Sequence, residues 1–87
     1  MKVDEPSRHY PQPNRDSHRW DEIGGYVIST VRFSDSIAEA NGARYETLVY
    51  SSAGGWNADG LGVQSLTMRE ADAAHAAACD RVKGRLQ

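Results

Sequence analysis

Two stretches of the chain alternate at a period of two. Tyr26 to Phe33 reads Tyr-Val-Ile-Ser-Thr-Val-Arg-Phe, dense in β-branched and aromatic residues, which predicts a first strand with Val27, Ser29, Val31 and Phe33 on one face. Arg32 then points to the opposite face, which is expected to be partly wet. Arg44 to Ser51 reads Arg-Tyr-Glu-Thr-Leu-Val-Tyr-Ser and predicts a second strand. Its faces set Glu46, Leu48 and Tyr50 against Tyr45, Thr47 and Val49. The favoured reading turns Leu48 and Tyr50 inward, because Thr47 can then sit in water. Leu61 to Leu66 predicts a shorter third strand, weakened by Gly62.

The pattern changes after Leu66. Thr67-Met-Arg-Glu70 has the spacing of a capping box, and Leu66 just before it is placed to staple onto Ala71. Ala71, Ala74, His75, Ala78, Cys79, Val82 and Leu86 then recur at steps of three and four, the spacing of one helix face. Between the first two strands, Ser36-Ile-Ala-Glu39 fits a single capped turn, closed by Asn41-Gly42. The loop from Ser51 to Gly60 carries Gly54-Gly55 and Asp59-Gly60 around Trp56, an apolar residue at a loop tip.

The first 22 residues hold all three prolines, Pro6, Pro11 and Pro13. Proline removes amide donors and biases its predecessor toward extended backbone, so an irregular arm is expected. Gly24-Gly25 is read as the break that ends it. The predicted organisation is therefore an arm over residues 1–22 and a domain over residues 23–87. The fold class is α+β: a three-stranded antiparallel meander followed by one C-terminal helix packed on a sheet face. Such a sheet leaves a face and an edge uncovered, which predicts a homodimer unless the arm folds over the open face.

At 87 residues, with 10 basic and 12 acidic side chains, the chain allows one small domain and offers no cationic field for a nucleic acid. No apolar run reaches the roughly 20 residues that cross a bilayer. Cys79 is the one cysteine, so no internal disulfide forms, and no secretory leader is evident. A cytoplasmic setting is expected.

Three segments carry a family resemblance: Ser29-Thr30-Val31, Tyr45-Glu46-Thr47-Leu48-Val49-Tyr50, and Glu70-Ala71 followed by His75. The pattern resembles small uncharacterised proteins of mycobacteriophages and other actinobacterial phages. These carry Ser-Thr-Val, then Phe/Tyr-Glu-Thr-Met-Val-Phe, then Glu-Ala with a nearby His. The resemblance spans residues 26 to 82, with Leu48 and Tyr50 standing where the pattern has Met and Phe. It implies a phage origin and no particular activity. Eight arginines to two lysines and eleven alanines agree with a GC-rich genome.

Candidate chemistry is sparse. Asp72, His75 and Cys79 stand at i, i+3 and i+7, on one side of the helix. A cysteine nucleophile also needs an adjacent base, a lowered pKa and oxyanion donors, and the commoner role for such residues is packing. His75 and Cys79 are half of a structural zinc set, and only His9 and His18 in the arm could complete it. The glycine pairs lack the phosphate-loop string, and Glu46 is read as a cross-strand partner for Arg32. No catalytic, cofactor or metal site is expected, and no enzyme activity. Aromatic and arginine residues on the arm and the loop, Tyr10, Arg15, Arg19, Trp20 and Trp56, are the candidate contacts for a protein partner, although Trp20 packing on its own sheet fits as well. The reading is a phage accessory protein in the host cytoplasm that binds a protein, with a minor virion component as the alternative.

Overall fold

The computed structural model describes residues 17–53, 55–56 and 62–86, with Trp56 described by its backbone. Five strands and two helices follow in order: β1 (Ser17–Ile23), β2 (Tyr26–Arg32), α1 (Asp35–Asn41), β3 (Tyr45–Ser51), β4 (Gly55–Trp56), β5 (Val63–Ser65) and α2 (Met68–Arg85). The sheet is antiparallel throughout, in the order β1-β2-β3, with β4 and β5 both paired to β3. The α+β class and the C-terminal helix on a sheet face stand as read from the sequence.

The strand count differs. β1 occupies residues assigned to the arm, and the Gly24-Gly25 break is a two-residue hairpin turn that joins β1 to β2, with Gly24 at φ 61°. Glycine suits a position that L side chains avoid. A Cβ at Gly24 would also lie 2.7 Å from Leu86 Cδ1, so the helix end packs directly on the turn. Ser-His-Arg-Trp-Asp-Glu-Ile lacks strand-forming composition, and pairing with β2 overrides that local preference. The register shifts between Ser17 and Arg19, a bulge that lets both His18 and Arg19 reach the helix side. Residues 1–16 lie outside the described residues.

The face facing α2 is also reversed from the expected one. Ile28 and Thr30 on β2 lie opposite Val49 and Thr47 on β3, and Ile28, Val49, Ala78 and Val82 form the apolar core. Tyr45, Thr47 and Val49 are therefore the inward set, while Leu48 and Tyr50 lie on the other face, half-buried. The hydroxyls of Thr30 and Thr47 satisfy each other at 2.6 Å, which removes the cost that made a buried Thr47 unattractive. The residues of β2 from Val27 to Thr30 are buried on both faces, so the expected wet face is confined to Arg32 at the strand end. Arg32 lies opposite Tyr45 and Glu46 opposite Val31; the two charges occupy different faces and do not form the expected cross-strand pair.

The capping box of α2 is present: Glu70 N–H donates to Thr67 Oγ1 at 3.1 Å, and Thr67 N–H donates back to Glu70 Oε1 at 3.3 Å. Leu66 does not staple, remaining 66% exposed while its N–H donates to the same carboxylate. On the predicted stripe, Ala71, His75, Ala78 and Val82 are buried; Leu86 is half-exposed beside Gly24. α1 forms where a turn was expected, but starts from Ser34, whose side chain makes no capping bond, and ends at Gly42 in the left-handed region. Arg44 holds it by donating to Asp35 at 2.7 Å, and this guanidinium keeps the Asp35 carboxyl below the usual range. Trp56 pairs its backbone with Tyr50 rather than occupying a loop tip, because β4 already begins at Gly55, opposite Ser51.

The inward face is testable by paired truncation. Ile28→Ala should lower unfolding free energy by about 2–5 kcal/mol, whereas Leu48→Ala should cost clearly less; urea denaturation compares the two.

Candidate functional site

The helix meets the sheet through polar groups as well as through the apolar core. His75, in the middle of α2, is 2% exposed. Its Nδ1 lies 2.8 Å from Thr30 Oγ1 on β2, and Thr30 Oγ1 lies 2.6 Å from Thr47 Oγ1 on β3. Its other nitrogen, Nε2, donates to Asp21 Oδ2 on β1 at 2.7 Å. One side chain of α2 is thus bonded directly to the neighbouring strands β1 and β2, and through Thr30 to β3. Nε2 donates to the carboxylate; in the tautomer that carries its one proton there, Nδ1 accepts from the Thr30 hydroxyl and Thr30 accepts from Thr47, and the reverse direction serves an imidazole protonated at Nδ1. Each of the three segments that carry the sequence resemblance supplies one member: Thr30, Thr47 and His75.

A carboxylate, an imidazole and a hydroxyl in a row is an arrangement used for nucleophilic catalysis. Here it is turned inward. Thr30 is 0% and Thr47 2% exposed, so neither hydroxyl meets a substrate, and Asp21 occupies the solvent side. The order needed for attack, with the hydroxyl at the surface and the acid behind, is inverted.

Cys79 follows His75 by one turn, and its thiol donates a long 3.9 Å hydrogen bond to Asp21 Oδ2. Partial burial pushes the Cys79 pKa up, and the Asp21 carboxylate adds to the shift; Lys83 opposes it weakly. The thiol is held protonated, the reverse of an activated nucleophile. The Asp72–His75–Cys79 grouping that the helical spacing permits does not form. Asp72 turns instead to β1, where Asp72 Oδ1 accepts from Arg19 Nε at 2.7 Å and from His18 Nε2 at 2.8 Å. The strand supplies Asp21 in its place. Among the described residues, Asp21, His75 and Cys79 bring an oxygen, a nitrogen and a sulfur within 4.8 Å of one another. β1 was read as arm, so Asp21 carried no signal in the sequence; the glycine pair before a strong strand was the available cue for a hairpin.

The predicted partner-binding residues are dispersed. Tyr10 and Arg15 lie outside the described residues. Arg19 and Trp20 are neighbours on a strand and so face opposite ways. Arg19 is committed to Asp72, which raises its pKa. Trp20 lies opposite Ser29, on the face away from α2. Its indole Nε1–H is buried and meets no acceptor among the described residues. No described element packs across that face.

Two outcomes check the polar contacts. Thr30→Val strands His75 Nδ1 and Thr47, and should cost about 1–3 kcal/mol in urea unfolding, with Thr30→Ser recovering most of it. Arg19, and after it His18, hold the Asp72 carboxyl below its usual pKa. Its stabilising contribution is therefore present above the ordinary carboxylate value of about 4 and lost as pH falls through the lowered one. The unfolding midpoints of wild type and Asp72→Asn should differ at neutral pH and converge in acid.

No family model, curated protein or solved structure matches this chain.

Proposed function

We propose that this chain is a small phage accessory protein that acts in the host cytoplasm by binding another protein, without catalysis. The observation that carries the reading is the indole N–H of Trp20, buried and without an acceptor among the described residues, on the sheet face that no described helix covers. A buried donor without a partner is costly, by about 1–3 kcal/mol, and a partner that displaces the groups covering the indole and brings a carbonyl to it relieves that cost. Half-buried Leu48 and Tyr50 lie on the same face and offer apolar surface around the indole, the setting in which Trp dominates interface energy. The inward-turned hydroxyls and the protonated thiol support the absence of catalysis. The phage origin rests on the three-segment resemblance and the arginine-rich, alanine-rich composition.

β1 supports a second reading, a structural component of the virion. Its seven residues pair with β2 on one side and with no described strand on the other, and an open edge accepts a strand from a neighbouring subunit. Pairing of two β1 edges is equally the route to a homodimer.

Affinity capture from an actinobacterial host lysate tests the first reading. Trp20→Ala should lose the captured partner while keeping the thermal midpoint within a few degrees, and Arg19→Ala should retain it. Wild-type capture by Trp20→Ala sinks the proposal. Stoichiometric presence of the chain in purified particles, read by mass spectrometry, would favour the virion component instead.

A further inference from the structure

We propose that Asp21, His75 and Cys79 form a binding site for one Zn²⁺ ion, with Thr30 and Thr47 fixing the histidine for coordination. The donor set is the first argument. A thiolate, an imidazole and a carboxylate are the ligand types of zinc sites, and three protein ligands with a fourth position left to water is a common zinc arrangement. Calcium and magnesium prefer oxygen ligands alone.

Geometry is the second argument. Zinc bonds of about 2.0–2.3 Å in a tetrahedron place ligand atoms about 3.3–3.7 Å apart. Asp21 Oδ2 is 2.7 Å from His75 Nε2 and 3.9 Å from Cys79 Sγ, and all three atoms lie within 4.8 Å of each other. Opening the first distance by about half an ångström and closing the others admits the ion. The two ligands that must move are the ones able to: the Asp21 side chain is 54% exposed and Cys79 is half-exposed. His75 is the fixed point, clamped from behind.

The third argument is that the clamp works in either sense. Without metal, Nε2–H donates to Asp21, and the hydroxyl chain runs Thr47 to Thr30 to Nδ1. With metal on Nε2, the proton moves to Nδ1, which donates to Thr30, and Thr30 then donates to Thr47. Hydroxyls both donate and accept, so neither state leaves His75 or Thr30 unsatisfied. A metal-bound histidine whose second nitrogen is held by a buried polar group is the recurring outer-shell arrangement of zinc sites. On binding, Zn–S forms as the S–H bond breaks; the thiol proton leaves to solvent, so affinity rises with pH. Asp80 favours the cation, whereas Arg19 and Lys83, the other charges acting on Cys79, oppose it.

The test uses the full chain, reduced, with Zn²⁺ alone and with Co²⁺ as its spectroscopic stand-in. Equilibrium dialysis should give one Zn²⁺ per chain. Co²⁺ should produce a near-ultraviolet thiolate charge-transfer band together with visible bands of four-coordinate intensity. Cys79→Ala should abolish the charge-transfer band, and Asp21→Asn should weaken binding at least tenfold; Asp21 is exposed and Cys79 packs only at the margin of the core, so both variants should fold. Thr30→Val should weaken binding about 10- to 100-fold as an outer-shell change, with Thr30→Ser restoring it. No binding to wild type overturns the proposal, as does stoichiometric Zn²⁺ retained unchanged by Cys79→Ala or Asp21→Asn.

Discussion

The hydrogen-bonded row from Asp21 through His75 and Thr30 to Thr47 is the constraint on which the rest of the structure depends. It spans β1, α2, β2 and β3, and its inner members are removed from water. The apolar core beside it is small, built from Ile28, Val49, Ala78 and Val82. Apolar contacts between an alanine-rich helix and a sheet tolerate sliding by a turn; a buried imidazole with two fixed partners does not. The row sets which residue of α2 stands over which pair of threonines, and with it the inward face of both central strands.

A second polar contact closes the outer strand. The bulge at His18 and Arg19 directs both side chains to Asp72, so β1 is tied to α2 at two levels one helical turn apart, by Asp72 and by His75. An edge strand composed mainly of charged and polar residues has little apolar area to bury. Its place in the fold rests on its pairing with β2, on these contacts and on the two-residue turn under Leu86. The same arrangement gives β1 two unlike faces. One is committed to the helix, with Arg19 and Asp21 engaged there. The other carries Trp20, whose donor is unmet among the described residues.

These two faces underlie the two proposals, and they are independent of each other. Partner binding concerns the side with Trp20, Leu48 and Tyr50. Metal binding concerns the side where Asp21 meets α2. A zinc ion at the second site would join β1 to α2 covalently through metal bonds, adding stability to a domain whose size limits its core.

By itself the sequence determined the elements whose signals are local. The strands β2 and β3 are visible because β-branched and aromatic residues are dense in both runs. The start of α2 is visible because Thr67 and Glu70 satisfy each other's backbone partners within one turn, and the stripe at Ala71, His75, Ala78 and Val82 follows from helical periodicity alone. Tertiary structure decided the rest. β1 is made a strand by β2, since Asp, Glu and Arg have no strand preference of their own. The inward face of β3 was decided by Thr47 finding Thr30, a partner 17 residues away, because the cost of burying a hydroxyl depends on who meets it. Asp21 joined His75 across 54 residues for the same reason: a polar residue's destination is set by its partner, and partners distant in sequence become neighbours only when the sheet and the helix are assembled.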